Sequence, residues 1–142
     1  MRSPMATLLF SVMVCTASSA PAQTATQRFA DSPALKKCMD AGEAAHGVTA
    51  AIRECLFQEI HRQDVKLNAT YRTAMARLNA TQRRQLRLSE RRWLAGLRGY
   101  CEKSAYADVD GTMALILYDG CILASKQTRG AWLVRHYGTL AD

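Results

Sequence analysis

No proline occurs between Ala34 and Asp142; the three in the chain are Pro4, Pro21 and Pro33. A proline inside a helix removes a hydrogen bond and clashes with the preceding turn. Its absence over this length permits long, uninterrupted helices. The chain has 142 residues, room for one domain and little more. Its hydrophobic share of 49% is enough for a packed core, which excludes wholesale disorder. The alternation of apolar and polar β-branched residues that marks strands is missing, so the expected class is all-α.

The first 22 residues have a different character. They read MRSPMATLLFSVMVCTASSAPA, with Arg2 ahead of an apolar run from Ala6 to Val14 and small residues at Ala20 and Ala22. This is the pattern of a secretory signal peptide cut before Gln23. The apolar run is too short to cross about 30 Å of hydrocarbon as an anchor. Lipidation at Cys15 is disfavoured, because Val12-Met13-Val14 precede it where small residues belong. Cleavage leaves 120 residues, lowers the formal charge from +7 to +6 and turns five cysteines into four. No later apolar stretch approaches membrane-spanning length. The expected organisation is a signal peptide at 1–22, a polar lead at 23–32 and a helical domain at 33–142.

Cys38, Cys55, Cys101 and Cys121 contain no CxxC pair, which argues against a zinc ribbon or a thioredoxin-type site. Two disulfides are the default for an exported chain. Of three possible connectivities, Cys38–Cys55 with Cys101–Cys121 is favoured, since each pair can join two arms of a helical hairpin. Loops of this size contribute roughly 3 kcal/mol each in the chain-entropy model.

Ser32-Pro33 reads as an N-cap followed by proline at the first helical position, opening a short helix over about 33–44. Gly42 and Gly47 bracket a break. Thr49 is expected to cap a long helix to about Asn79, with a stripe of Ile52, Leu56, Ile60, Leu67, Tyr71, Ala74 and Leu78. The gap in that stripe is filled by Asp64. Thr81 is expected to cap a third helix over about 82–104, striped by Leu86, Trp93, Leu97 and Tyr100, with Glu90 in its gap. A turn at Asp108–Gly111 leads to a last helix, begun by Asp110 or Thr112 and ending near Tyr137. Its expected stripe includes Ala114, Leu117, Tyr118, Cys121, Ser125, Thr128 and Trp132. Gly138 is the expected C-cap. The expected architecture is a small disulfide-stapled bundle of one short and three longer helices.

A carboxylate on a core stripe needs a partner, because burying it alone is costly. Arg98 on the third helix is the expected partner of Asp64, supplemented by Asn68. Arg83, Arg84, Arg87, Arg91, Arg92 and Arg98 crowd that helix, and Arg84, Arg87 and Arg91 share one face beside Arg83. Guanidinium groups suit phosphate and carboxylate ligands, so this face is a candidate anion site. Export makes nucleic acid a poor partner, and no aromatics line the face for stacking. An acidic protein surface or an anionic envelope component fits better. His46, His61 and His136 match no metal-ligand spacing, and no cofactor motif is present. Glu54, Glu59, Asp64, Glu90 and Glu102 are the available carboxylates, but no nucleophile or metalloprotease signature accompanies them. A glycan hydrolase built on a carboxylate pair is the minor enzymatic alternative.

These pieces occur in a recognisable order. After the first cysteine come IRECLFQEIHRQDVKLNATY, then LSERRWLAGLRGYC, then a turn, Cys121 and KQTRGAWL. The order resembles the LprI-type lysozyme-inhibitor family over about Cys38 to Leu133. The family's acid-cysteine step and its D-x-x-L-N-x-x-Y motif correspond to Glu54, Cys55, Asp64, Leu67, Asn68 and Tyr71. Its tryptophan, arginine and cysteine at fixed spacing correspond to Trp93, Arg98 and Cys101. Its late T-x-x-R corresponds to Thr128 and a shifted Arg129. Glu90 stands where the family usually has glutamine, and Gly99 where an aspartate often follows the arginine. The resemblance implies an exported, non-enzymatic helical module whose partner is a protein, with lysozyme the named candidate. The rival reading is a basic periplasmic chaperone or envelope-stress protein. It rests on LNATQRRQ, Leu78 to Gln85, beside the L-T-x-x-Q motif of such proteins. That match fails at the threonine, and the cysteine framework favours the first reading.

Overall fold

A computed structural model describes residues 31–107 and 109–138. The expected signal peptide at 1–22, with Cys15, and nearly all of the expected polar lead lie outside the described residues. The described residues form five helices: α1 (Pro33–Met39), α2 (Gly42–Ala45), α3 (Thr49–Arg77), α4 (Ala80–Ala105) and α5 (Gly111–Tyr137). They contain no strand, so the chain is all-α.

Helix ends follow local chemistry, in places not the chemistry expected. Ser32 caps α1, its side chain accepting from the Leu35 N–H, with Pro33 at the first position. The single short helix expected over 33–44 is instead two pieces. Ala41 is extended and Gly42 has φ +54°, a left-handed backbone that favours glycine. Thr49 does not cap α3; Val48 occupies that position without a side-chain bond. Nor does Thr81 cap α4. Asn79 does, in a capping box in which Asn79 and Gln82 each accept the other's backbone N–H at 3.0 Å. Asp110 precedes α5, and Gly138 ends it at φ +85°.

α5 is the shared element. α3 and α4 both pack along it, and they make little contact with each other among the described residues. α1 and α2 pack on the first half of α3. Cys38–Cys55 joins α1 to α3, and Cys101–Cys121 joins α4 to α5.

The core falls into two apolar clusters. One gathers Leu35, Ala44, Cys55, Leu56 and Leu123. The other gathers Leu67, Ala74, Leu86, Ala131, Leu133 and Val134, flanked by Tyr71, Trp93 and Trp132. Burying a leucine as fully as Leu86 or Leu133 contributes about 1.5–3 kcal/mol.

Polar residues lie between the clusters. Glu59 and Gln63 on α3 are fully buried. The Glu59 carboxylate accepts from the Ser32 N–H and hydroxyl, from Arg62 Nε at 2.8 Å and from Gln63 Nε2 at 2.7 Å. Burial pushes the Glu59 carboxyl up. The bonds from Ser32, Gln63 and Arg62, with the Arg62 charge, outweigh this and hold it below its ordinary value. Asp31 and Gln127 tie the same end of α1 to α5.

The buried stripe of α3 therefore keeps Leu56, Leu67 and Ala74 of the expected one. It takes Glu59, Gln63 and Thr70 in place of Ile60, Asp64 and Tyr71, which fall to its flank. Tyr100 likewise leaves the expected α4 stripe: it is 67% exposed, and Cys101 is buried instead. On α5, Leu117 is exposed while Asp119, Leu123, Leu133 and Val134 are buried. A helix packed by neighbours on several sides has no single apolar face to read.

Candidate functional site

Asp64 sits at the edge of a groove, not in the core. Its carboxylate pairs with Lys126 of α5, and its side chain remains 37% exposed. The expected Asp64–Arg98 pair does not form. Arg98 is exposed on α4, and Asn68 is exposed as well. The reason is the bundle geometry. α3 and α4 face α5, so charged residues of either helix find their cross-helix partners there. Three pairs follow this rule: Asp64–Lys126, Arg53–Asp119 and Glu90–Arg129.

The Arg53–Asp119 pair is the most enclosed at its acidic end. Asp119 is buried and receives Arg53 Nε at 2.6 Å, while the guanidinium lies 5.1 Å from the Phe57 ring centroid. The hydrogen bond to Asp119 holds Arg53 above its ordinary value.

The Glu90–Arg129 pair fastens α4 to α5. Arg129 donates through Nε to Glu90 at 2.8 Å and through Nη2 to the Ser89 hydroxyl at 2.7 Å. Its guanidinium carbon lies 4.1 Å from the Trp132 ring centroid and 5.8 Å from that of Trp93. Ion pairing and ring stacking together are well served by a planar guanidinium.

Two grooves flank this clasp. One, of about 650 Å³, runs between α3 and α4 with α5 beneath. Leu67, Tyr71, Trp93 and Leu94 provide its apolar lining; Asp64, Asn68, Arg87, Glu90, Arg91 and Lys126 provide its polar one. Val65 and Leu94, one on each side, are 57% and 55% exposed. The other groove, of about 660 Å³, lies between α4 and α5, lined by Trp93, Gly96, Tyr100, Cys121 and Trp132 among others. In it Trp132 stacks with His136 at a centroid distance of 4.3 Å.

The α3–α4 groove is the candidate site, because it collects the residues that sequence reading singled out. Asp64, Leu67, Asn68 and Tyr71 come from α3, Trp93 from α4, and Arg87 and Arg91 from the basic face. Its two carboxylates are already taken: Lys126 neutralises Asp64, and Arg129 neutralises Glu90. Arg84, Arg87 and Arg91 stand exposed with no hydrogen bond or ion pair among the described residues. Arg83 reaches the Ala76 carbonyl at 3.5 Å. The site's unspent chemistry is thus cationic over an apolar floor. Arg98 lies outside the groove lining.

Some contributors were hidden in the sequence. Lys126 heads the KQTRGAWL segment but stands outside its threonine–arginine step, and its role becomes visible only once α5 lies under α3. Glu90 and Arg129 were legible singly, as a gap in a stripe and as a shifted family arginine, but not as partners. Among the described residues no group of His, Cys, Asp or Glu is placed to hold a metal ion. None of their helices is long and apolar enough to cross a membrane.

Comparison with known proteins gives one family. The model for the lysozyme inhibitor LprI family matches residues 38–133, which span both disulfides and the whole groove. No curated protein and no solved structure matches.

Proposed function

The chain belongs to the LprI family of lysozyme inhibitors, and from that premise we propose that it is an exported, non-enzymatic module that binds and inhibits a lysozyme through the α3–α4 groove. The observation that carries this reading is the gathering of Asp64, Leu67, Asn68, Tyr71 and Trp93 along one open groove. Residues that serve only packing lie in the core; Asn68 is exposed and the others only partly covered, apart from Leu67.

The state of the carboxylates supports binding over hydrolysis. A glycosidase needs one carboxyl protonated and one free to act as nucleophile or base. Asp64 and Glu90 are each committed to a cation from α5. Export agrees with the signal pattern at 1–22 and with two disulfides, which persist in oxidising compartments.

The test is a turbidity assay of bacterial cell-wall lysis by an animal-type lysozyme, with the oxidised mature protein in stoichiometric excess. Slowed lysis is expected. Unchanged lysis across a range of salt concentrations counts against the reading.

A further inference from the structure

Animal-type lysozymes are strongly basic, and this chain carries a formal charge of +6 without residues 1–22. Two such proteins repel at long range. A local match of opposite charge offsets such repulsion, and cations that are exposed and unpaired among the described residues stand on α4.

Arg84, Arg87, Arg91 and Arg98 follow at steps of three, four and seven, which places them along one side of the helix. All are exposed, and none has an ion pair among the described residues. Arg87 and Arg91 alone among the four also line the α3–α4 groove. Both nearby acids, Asp64 and Glu90, are held by Lys126 and Arg129 and so cannot quench them. On the other side of the contact, a retaining glycosidase such as lysozyme carries two carboxyl groups about 5–5.5 Å apart in its cleft. Residues one helical turn apart have Cβ atoms about 5–6 Å apart. The two spacings agree.

We propose that Arg87 and Arg91 are the inhibitory pair, one guanidinium engaging the free catalytic carboxylate in the cleft of the hydrolase and the other its acid partner, which releases its proton to solvent on pairing. This rests on the lysozyme reading above and specifies its contact. A guanidinium meets a carboxylate through two parallel N–H donors, a geometry lysine does not reproduce. Exposed Leu94 and Val65 flank the pair and supply apolar contact to the walls of the cleft.

The experiment compares inhibition constants of the mature wild type, R87A/R91A, R87E/R91E and a control, K37E/K103E, whose exposed lysines lie outside the groove. R87A/R91A is expected to weaken inhibition by about thirtyfold or more, since truncating one side of a hydrogen-bonded charge pair costs that much. The reversals discriminate more sharply. R87E/R91E and K37E/K103E both lower the net charge from +6 to +2 and so relieve the same long-range repulsion. The proposal requires R87E/R91E to lose inhibition and K37E/K103E to keep or improve it. Equal improvement in both overturns it while leaving lysozyme inhibition standing. A wild type that does not inhibit overturns both.

A second arm uses a lysozyme whose two catalytic carboxylates are replaced by amides, with binding followed by calorimetry. Loss of affinity is expected, and so is competition by a chitooligosaccharide filling the cleft of the unaltered enzyme. Binding untouched by either change overturns the proposal. So does a pair whose reversal abolishes binding to anionic lipid vesicles but not to lysozyme, which assigns the face to a membrane surface.

Discussion

Replacing Glu59 by glutamine keeps the side chain's shape and removes its charge, which isolates what the buried carboxylate does. One oxygen accepts from the Ser32 N–H and Gln63 Nε2, the other from the Ser32 hydroxyl and Arg62 Nε. Whichever oxygen becomes an amide nitrogen, two donors then face a donor. The Ser32 hydroxyl can reverse and the Gln63 amide can flip, but the Ser32 N–H and Arg62 cannot. Hydrogen bonds to a charged group contribute about 1.5–3 kcal/mol, and removing one member of a buried ion pair costs about 3–5 kcal/mol. Arg62 is one-third exposed, so water recovers part of the second figure. The expected loss is about 2–3 kcal/mol. With roughly 2 cal/mol/K of unfolding entropy per residue over roughly 100 residues, this lowers Tm by about 10–15 °C.

The pH dependence gives that prediction a second, independent sign. Glu59's folded-state value lies below its ordinary 4.5, so its contribution is fully present above 4.5 and is lost as the pH falls through the folded value. The Tm gap between wild type and E59Q should therefore be widest near neutrality and should close on acidification below 4.5. Thermal melts by circular dichroism from pH 7 to pH 2.5 provide the measurement. A gap under 2 °C at pH 7, or one that does not narrow in acid, refutes the claim that the carboxylate ties α1 to α3.

Leu133→Ala removes a fully buried side chain from the larger cluster and is expected to cost about 2–5 kcal/mol by urea unfolding. Removing Cys101–Cys121 by double alanine substitution should cost about 3 kcal/mol in the same assay, for a sequence separation of 20. Asp119→Asn should destabilise by about 2–3 kcal/mol, because it strips a buried carboxylate from Arg53. Asp64→Asn should cost about 1 kcal/mol, since the Asp64 end of that pair is open to water and the amide oxygen can still accept from Lys126; a larger loss at Asp64 than at Asp119 contradicts the burial described for them. Mass spectrometry of the exported protein is expected to find an N-terminus at Gln23.

The all-helical class, the long proline-free elements and the cysteine framework were legible because each depends on near neighbours. Periodicity put Leu56, Leu67, Ala74 and Leu86 inside, where they are. It failed at Glu59 and Gln63, since an apolar stripe passes over polar residues whose partners are not yet known. Ser32, which satisfies Glu59, stands 27 positions earlier. The partner of Asp64 was missed for a related reason. Knowing that a charge needs a partner does not say which helix lies opposite, and Lys126 rather than Arg98 is set by the central place of α5. At the candidate site, α3 motif residues and the α4 arginines were each visible. Their meeting along one groove is a property of the packing alone.

The four cysteines that follow Cys15 pair in order of appearance, Cys38 with Cys55 and Cys101 with Cys121. A chain emerging N-terminus first into an oxidising space can therefore close each bond before the next cysteine pair arrives. Among these four, pairing in order of appearance gives the native bonds, which lessens the need for an isomerase to correct mistakes. The described residues hold two separately closed loops with no crosslink between them. A protease cutting between Arg77 and Ala80 would leave two fragments, held together by side-chain packing and free to part when that packing melts.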